Sequence, residues 1–291
     1  MPSITDLVPD PGALERIATG STWAEGPCWI PATRSLRWSD IPGDRILEWH
    51  QDTGTTSVYA AGVEFTNGRT LDRDGSVVQC SHGRRRVERD RDGVVTPVVD
   101  AWGGGRLNSP NDVVVARDGS IWFTDPAYGI TQPREGHPGE REYGDHWVFR
   151  CGPDGADLRP VVLDVDEPNG LAFSPDERVL YVASSSAHEP VIRAYDVDGA
   201  RVKNGRVFAR LDDGDGVPDG IRVDVHGDVW SSTHRGVTVF APDGTRIGDV
   251  PVPEVVANLC FGGDDGTTLF VTATTSLYRI ATTTRDAAAV S

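Results

Sequence analysis

Positive charge is scarce in this sequence. Lys203 is the single lysine, and the 28 Lys and Arg residues are outnumbered by 44 Asp and Glu residues, which gives a net charge of −16 at pH 7. Such a charge repels phosphate backbones and anionic lipid headgroups, so a nucleic-acid-binding or membrane-surface protein is not expected. The acidic balance instead suits solubility and the binding of cations.

Long apolar segments are missing as well. No part of the chain approaches the run of about 18 apolar residues that a membrane-spanning helix needs. The first twenty residues, MPSITDLVPDPGALERIATG, lack a basic stretch followed by an apolar one, which is the pattern of a secretion signal. We therefore expect a cytoplasmic protein with no membrane partner.

Cysteine is sparse and scattered. The four cysteines contain no C-x-x-C pair and lie far apart, at Cys28, Cys80, Cys151 and Cys260. This spacing argues against a zinc knuckle and against a small disulfide-stapled domain. We predict that they are buried as small apolar side chains, with an incidental disulfide as the alternative.

What the sequence does contain is a repeat of short polar signatures, each opening a strand-like segment. They are E-G-P at Glu25, T-N-G at Asn67, P-N-D at Asn111, P-N-G at Asn169, P-D-G at Asp219 and A-N-L at Asn258. Their separations of 42, 44, 58, 50 and 39 residues are typical of the four-stranded blades of a propeller. The sequence therefore predicts an all-β fold, a six-bladed β-propeller with four antiparallel strands in each blade.

The last blade is one strand short at the C-terminal end of the chain. Five repeats contain two complete hairpins with Asp-Gly or Pro-Asp turns, whereas the sixth supplies three strands. Residues 13–20 have the apolar content of an outer strand, so we expect them to complete that blade and close the ring. On this interpretation residues 1–291 form a single propeller domain.

The composition of three other segments also indicates their structure. The insertion at 126–147, rich in Pro, Gly and charge, is expected to be a loop over the channel mouth that shapes a substrate pocket. The G-G-G run at 103–105 is expected to be flexible. The arginine cluster at 84–91 is interleaved with Asp and Glu, which indicates a solvated strand face.

The repeated signatures also have chemical meaning, because equivalent residues of all blades face one channel. Glu25, Asn111, Asn169 and Asp219 would supply two carboxylates and two amide oxygens. This set suits Ca²⁺, Mg²⁺ or Mn²⁺ better than a thiolate zinc site, although Zn²⁺ is retained as an option. Each tripeptide alone is more often a turn, but four of them at blade-phase positions favour a metal site.

Other polar residues of the predicted channel have two interpretations. His82 and His234 follow the second strand of their blades, so either could contact substrate or stabilise blade packing. Asn67 and Asn258 occupy the ring positions of blades two and six. They could bond water or substrate, or make a structural hydrogen bond.

A set of motifs resembles the gluconolactonase / senescence-marker-protein / luciferin-regenerating-enzyme family. The motifs are A-E-G-P at 24–27, R-L-N-S-P-N-D at 106–112, F-T-D-P-A-Y-G at 123–129, E-P-N-G-L-A-F-S-P-D at 167–176 and P-D-G-I-R-V-D at 218–224. The resemblance spans nearly the whole chain. It implies a six-bladed propeller with one catalytic divalent ion, calcium before others, and hydrolysis of sugar lactones; relatives also include phosphofluoridate hydrolases.

The resemblance also implies roles for individual residues. Glu25, Asn169 and Asp219 match the metal ligands, and Asn111 matches an asparagine that completes the metal shell or touches substrate. Asp219 also matches the catalytic acid/base. The remaining candidates for substrate contact are Arg106, Asn108, Tyr128, His82, His234 and Asn67; the spacing around Arg106 and the tyrosine at 128 both differ from the mammalian pattern.

The resulting hypothesis is a metal-dependent lactonase that opens a sugar-acid lactone, its partner a small molecule. The ion would act on the carbonyl as a Lewis acid, and Asp219 would be either a base or a nucleophile. A phosphotriester or aryl-ester hydrolase on the same site is one alternative. A non-enzymatic ligand-binding propeller is the other, and the sequence leaves the oligomeric state open.

Overall fold

The alternating apolar residues and Asp-Gly turns fold into six four-stranded antiparallel sheets around a central channel. A computed structural model describes residues 3–288. Each sheet is a blade, and its first strand lies next to the channel. The predicted six-bladed β-propeller is confirmed.

The chain begins with α1 (Ile4–Leu7), a 3₁₀ turn (Pro11–Ala13) and β1 (Glu15–Thr19). Blade one contains β2 (Ala24–Ile30), β3 (Ser35–Asp40), β4 (Arg45–His50) and β5 (Thr56–Ala61), with a 3₁₀ turn at Pro31–Thr33. Blade two contains β6 (Thr66–Leu71), β7 (Val77–Ser81), β8 (Arg86–Arg91) and β9 (Val94–Val99). A separate short hairpin follows, made of β10 (Ala101–Trp102) and β11 (Gly105–Arg106).

Blade three contains β12 (Val113–Val115), β13 (Ile121–Asp125), β14 (Trp147–Cys151) and β15 (Arg159–Val162), with α2 (Tyr128–Thr131) between its second and third strands. Blade four contains β16 (Pro168–Phe173), β17 (Val179–Ser184), β18 (Val191–Asp198) and β19 (Arg201–Arg210). Blade five contains β20 (Ile221–Val223), β21 (Val229–Thr233), β22 (Gly236–Phe240) and β23 (Arg246–Pro251). Blade six contains β24 (Val256–Gly262), β25 (Thr268–Ala273) and β26 (Ser276–Ala281).

The N-terminal strand completes blade six, as predicted. β1 pairs antiparallel with β26, so that Thr19 lies opposite Ser276. Near the other end of the pair, Arg279 Nε donates to Glu15 Oε2 at 2.8 Å. The strand is shorter than residues 13–20 because the chain up to Ala13 forms the 3₁₀ turn. This pairing covers the open edge of β26 and closes the ring.

Aromatic side chains fill the space between neighbouring blades. Trp29 of blade one stacks on Phe270 of blade six with ring centroids 5.5 Å apart, and Trp230 of blade five meets Phe261 of blade six edge to face at 5.4 Å. Burying a side chain of this size stabilises a fold by about 1.5–3 kcal/mol. The blade-to-blade faces are therefore the apolar core of the propeller.

The four cysteines are all buried and free, which confirms their prediction as small apolar side chains. No disulfide forms within residues 3–288. In the same range no helix is long and apolar enough to span a membrane.

Two glycine-rich or charged segments differ from expectation. The G-G-G run is part of an ordered hairpin, because Gly103 (φ 62°) and Gly104 (φ 89°) supply the two positive φ angles that a two-residue turn requires. The arginine cluster is not simply a solvated strand face. Arg85 and Arg89 are each only 7% exposed, since Arg85 reaches Glu142 at 3.0 Å and Arg89 ion-pairs with Asp72.

The insertion at 126–147 is mostly irregular, as expected, but it is tightly attached. It contains α2, and its Tyr143 hydroxyl donates to the carboxylate of Asp125. The Asp125 carboxylate also accepts from the backbone nitrogens of Asn108, at 2.7 Å, and Ser109, at 2.8 Å. We call residues 126–146 the lid.

Candidate functional site

The site is built at the beginnings of the inner strands, where the repeated signatures lie. In four blades the strand register shifts at the signature, between Glu25 and Cys28, Thr66 and Arg69, Pro168 and Leu171, and Val256 and Asn258. In blades three and five the signature directly precedes the strand. A bulge or strand start releases the backbone from regular pairing, so side chains can turn toward the channel.

Glycine recurs in the signatures because neighbouring blades approach closely there. A β-carbon on Gly26 would lie 2.2 Å from the backbone oxygen of Asn67, and one on Gly170 would lie 2.3 Å from that of Asp219. The backbone nitrogen of Gly170 donates to the backbone oxygen of Asp219 at 3.0 Å. The repeated Xaa-Gly pair is therefore a contact between blades as well as a chemical signature.

Glu25 is a buried carboxylate held from two sides. It is 3% exposed, and its Oε2 accepts from the nitrogen of Gly26 at 2.6 Å and from Nδ2 of Asn258 at 3.1 Å. Burial raises the pKa of Glu25, and the nearby carboxylate of Asp112 raises it further. Of the two interpretations of Asn258, the structure supports the structural hydrogen bond, because Oδ1 of that residue also accepts from Leu259 N at 2.8 Å.

Asp219 lies across the ring in blade five and keeps part of its surface in the channel. Withdrawal from water and then the negative charge of Glu25 raise the pKa of Asp219 well above its ordinary value, while hydrogen bonding from Asn169 opposes this rise. The structure thus brings together Glu25, Asn169 and Asp219. Asn111, 5% exposed, takes the same ring position in blade three.

A second acid, Asp112, lies beneath this group and has a cationic neighbour. It is fully buried, and its Oδ2 lies 3.6 Å from Nη1 of Arg222. Burial raises the pKa of Asp112, and Arg222 lowers it. Asp112 therefore differs from Glu25 and Asp219, which form no ion pair within residues 3–288.

Glu135 is a site residue that the sequence reasoning missed. It belongs to the lid, is 8% exposed, and its negative charge raises the pKa of both Glu25 and Asp219. Burial raises the pKa of Glu135 itself, against the attraction of Arg134 at 3.4 Å. No repeat marks this position, so only its place in the insertion over the channel mouth could have drawn attention to it.

Tyr128 also reaches the site from the lid. Its hydroxyl donates to Oε2 of Glu167 at 3.1 Å. Burial raises the pKa of Tyr128, and the charges of Glu167 and Asp219 add to the rise. Tyr128 therefore stays a neutral hydrogen-bond donor close to Asp219.

His82 and Asn67 contact each other below the lid. His82 is fully buried and Asn67 is 3% exposed, and Nε2 of His82 lies 3.2 Å from Nδ2 of Asn67. His234 is instead exposed, with its ring against Gly216. Direct substrate contact by any of the three stays a prediction.

The two remaining candidates lie at the edge of the site. The side-chain nitrogen Nδ2 of Asn108 donates to the backbone oxygens of Asp125 and Asp145 and to the Tyr143 hydroxyl, at 3.1–3.2 Å. Arg106 is exposed, and its guanidinium donates to the backbone oxygen of Arg84 at 3.2 Å. Their contacts attach the lid and blade two, and a role toward substrate stays a prediction.

The donor set fits a hard divalent cation. Two carboxylates that repel each other without a cationic side chain form an unfavourable arrangement, which a bound cation would relieve. Across residues 3–288 no three His, Cys, Asp or Glu side chains form a metal-binding group, so such a site depends on the amide oxygens of Asn111 and Asn169. Carboxylate and amide oxygens are the donors that Ca²⁺ prefers.

Comparison with known families identifies the family to which this chain belongs. The model of the SMP-30/Gluconolactonase/LRE-like region matches residues 23–275, from just before Glu25 to the turn between β25 and β26 of blade six. The chain belongs to this family. All four proposed metal-binding residues fall inside the matched range.

Two similar proteins are gluconolactonases. The gluconolactonase of Zymomonas mobilis is 34% identical over 298 residues, covering 93% of this chain and 82% of that protein. The solved structure of XC5397 from Xanthomonas campestris, a gluconolactonase, has a TM-score of 0.90 and 41% identity, covering 96% of this chain and 92% of its own. This family member therefore resembles gluconolactonases along almost its whole length.

A more distant solved structure shares the fold. A calcium-binding protein, regucalcin, from Agrobacterium tumefaciens has a TM-score of 0.75 with 19% identity, covering 95% of this chain and 94% of that one. At this identity the likeness concerns the propeller architecture alone.

Proposed function

We propose that this protein is a lactonase that hydrolyses a sugar-acid lactone to the free acid. The observation that carries the proposal is the pairing of Glu25 with Asp219 beside Asn169. These two carboxylates have no cationic partner among residues 3–288, and they lie at a channel opening covered by a lid. The likeness to gluconolactonases at 34% and 41% identity supports the same reaction. Polar side chains of this kind suit a polyhydroxylated substrate.

Glu25, Asn111, Asn169 and Asp219 would hold one divalent ion, and Ca²⁺ suits their all-oxygen donor set best. When bound, such an ion would stabilise the negative charge that develops on the lactone carbonyl oxygen.

Asp219 is the proposed catalytic residue because it is the least buried of the four. Its carboxylate would take a proton from the attacking water and return it to the leaving oxygen as the ring opens. The alternative is direct attack by Asp219 on the carbonyl. Detection of ¹⁸O in the side chain of Asp219 after a single turnover in H₂¹⁸O would establish direct attack, since general-base catalysis places the label only in the product.

The decisive experiment measures acid release from glucono-1,5-lactone, corrected for spontaneous opening. Asp219→Asn should lower kcat by about 10²–10⁴-fold, the usual contribution of a positioned acid/base. The matched control is Asp213→Asn, an exposed carboxylate six residues earlier, which should retain wild-type activity. If Asp219→Asn hydrolysed the lactone at the wild-type rate, the proposed role of Asp219 would be wrong.

Metal dependence is tested separately. Chelated protein should lose activity and melt at a lower temperature, and Ca²⁺ should restore both, because a ligand that binds only the folded state stabilises it. Titration with Mg²⁺, Mn²⁺ and Zn²⁺ ranks the ions. Equal activity before and after chelation would exclude a metal-dependent reaction. If the protein hydrolysed aryl esters or phosphotriesters but no lactone, the proposed lactonase function would be wrong.

A further inference from the structure

His82 lies between the lid and the inner ring and contacts both. Its Nδ1 is 3.0 Å from the backbone oxygen of Glu135 in the lid, and its Nε2 is 3.2 Å from Nδ2 of Asn67 in blade two. The ring is fully buried. His82 thus links these two parts of the molecule directly.

The hydrogen bonds of His82 determine which way the Asn67 amide faces. A backbone oxygen only accepts, so Nδ1 of His82 must carry the proton that it donates to Glu135. Burial lowers the pKa of His82 to about 4, so the ring is neutral at pH 7 and its Nε2 accepts. The amide NH₂ of Asn67 must therefore face His82, and Oδ1 of Asn67 faces away from it.

That oxygen lacks a partner among residues 3–288. Oδ1 of Asn67 is buried and accepts no hydrogen bond from this part of the chain, which is uncommon for a buried polar atom and unfavourable unless something binds there. Asn67 holds the ring position of blade two, next to Glu25 of blade one through the Gly26 contact. The free acceptor therefore belongs to the ring that carries the proposed catalytic groups.

The lid is fitted closely around His82. A β-carbon on Gly129, in α2, would lie 2.6 Å from Cβ of His82, and one on Gly136 would lie 2.1 Å from the backbone oxygen of Gly129. Glu135, whose carboxylate acts on Glu25 and Asp219, lies in the same stretch of the lid. The bond from His82 to the Glu135 oxygen therefore also fixes where that carboxylate is placed.

We propose that Asn67 is a specificity residue whose Oδ1 accepts a hydrogen bond from a hydroxyl group of a polyhydroxylated lactone, and that His82 is the positioning residue that orients Asn67 and holds the lid. This inference rests on the proposed lactonase function and defines its substrate class. A lactone without ring hydroxyls cannot use the Asn67 oxygen. Discrimination between the two kinds of lactone is therefore expected to depend on Asn67 and His82.

The first test compares glucono-1,5-lactone with δ-valerolactone, which has the same ring without hydroxyls. Asn67→Leu should raise KM for glucono-1,5-lactone about 10–100-fold with a smaller change in kcat, because a lost hydrogen bond to substrate leaves a hydroxyl unpaired. Its kcat/KM for δ-valerolactone should change by less than about threefold. An equal loss on both lactones would assign Asn67 a purely structural role and overturn the proposal.

The second test addresses His82. His82→Leu removes both hydrogen bonds and should reproduce the selective rise in KM, whereas His82→Gln supplies one donor and one acceptor and should recover most of the affinity. His146→Gln is the matched control, because His146 is only half-buried and its Nδ1 also bonds a backbone oxygen, that of Asp166 at 2.7 Å. Unchanged selectivity in His82→Leu, or no recovery in His82→Gln at equal thermal stability, would contradict the role of His82.

Two measurements work without turnover and so separate this inference from the proposed function. Calorimetric titration with glucono-1,5-lactam, which resists hydrolysis, should show affinity lowered at least about tenfold in Asn67→Leu. Trypsin should cut His82→Leu faster than wild type at the exposed lid residues Arg134 and Arg141. Equal lactam affinity in both proteins would overturn the subsite even if lactone hydrolysis were confirmed, and wild-type protein that binds the lactam without hydrolysing any lactone would contradict only the proposed function.

Discussion

Two stretches of the central channel hold buried charge differently. At the beginnings of the inner strands, Glu25 and Asp219 lie close together and neither has an ion-pair partner among residues 3–288. One layer further along, Asp112 is fully buried but lies 3.6 Å from Arg222. Compensated acids are typical of structure, and uncompensated acids in a cleft are typical of function.

The coverings of the channel differ in the same way. The lid reaches the acidic end through side chains such as Tyr128 and Glu135. At the other ends of the inner strands, the segment 285–288 attaches through its backbone, with Val225 N donating to the Arg285 oxygen at 3.0 Å and Ala287 N to the Val223 oxygen at 2.9 Å. A covering that supplies side chains to a site is chemically informative, whereas backbone pairing only closes an end.

The largest effect should follow from removing the compensated acid. Asp112→Ala removes the ion-pair partner of Arg222 and leaves Asp286 as the remaining acid near it. We therefore expect a loss of about 3 kcal/mol in the free energy of unfolding, the lower end for broken buried pairs. Urea denaturation measures it. In the double variant Asp112→Leu with Arg222→Met most of the loss should disappear, and an unchanged loss would show that the pair is not what compensates Asp112.

The uncompensated acid should behave in the opposite way. Glu25→Gln should lower kcat/KM for glucono-1,5-lactone about 100-fold, since a proposed metal ligand is weakened. In chelated protein, however, it should keep or raise Tm because it relieves repulsion with Asp219. Glu48→Gln is the contrast, because Glu48 is buried but bonded to Arg37 at 2.9 Å, and its Tm should fall. A similar fall in Tm for both variants would show that Glu25 and Glu48 stabilise the metal-free protein equally.

A smaller effect should come from the contact between blades at the ring. In Gly26→Ala the new β-carbon would meet the Asn67 oxygen at 2.2 Å on a residue with φ of 49°, and we expect a loss of about 2 kcal/mol. Gly54→Ala has a similar φ of 66° with nothing within 4 Å, so it should cost only about 1 kcal/mol. Thermal denaturation of both variants separates backbone strain from steric overlap, and equal losses would mean that the blades adjust freely.

The last effect concerns pH. The pKa values of Glu25 and Asp219 are raised in the folded, metal-free protein. At any pH above the ordinary carboxyl pKa values of about 4, these two groups therefore hold more protons in the folded protein than in the unfolded chain. The free energy of unfolding of chelated protein should therefore fall as pH rises from 5 to 8. The double variant Glu25→Gln with Asp219→Asn should lose this slope, and the same slope in that variant would assign it to other groups.

The fold could be predicted from sequence because each blade repeats the same physical requirements. The glycine that admits a neighbouring blade recurs at Gly26, Gly68, Gly170 and Gly220, so the repeat is visible as short tripeptides. The closing strand was identifiable because blade six had one strand too few. The short hairpin at 101–106 was not predicted. The glycine run at 103–105 was interpreted from its composition as flexible, although two consecutive glycines are also typical of a two-residue hairpin turn.

The site could be predicted only where it follows the repeat. Glu25, Asn169 and Asp219 share one position in blades one, four and five, and the structure brings them together. Glu135 lies in an insertion with no counterpart in other blades, so nothing in the pattern locates it. The environment of His82 was also out of reach, since its partner Glu135 is 53 residues away and binds through its backbone.

The pairing of β1 with β26 has a consequence for how the protein is made. Thr19 leaves the ribosome early but lies opposite Ser276, so its partner appears only after about 10–50 s at usual rates of synthesis. During that time β1 has no strand to join, and the blades already translated have an open edge between blade one and the growing chain. Completion of the propeller therefore waits for the synthesis of blade six, and the nascent chain is exposed to wrong strand pairing until that blade is available.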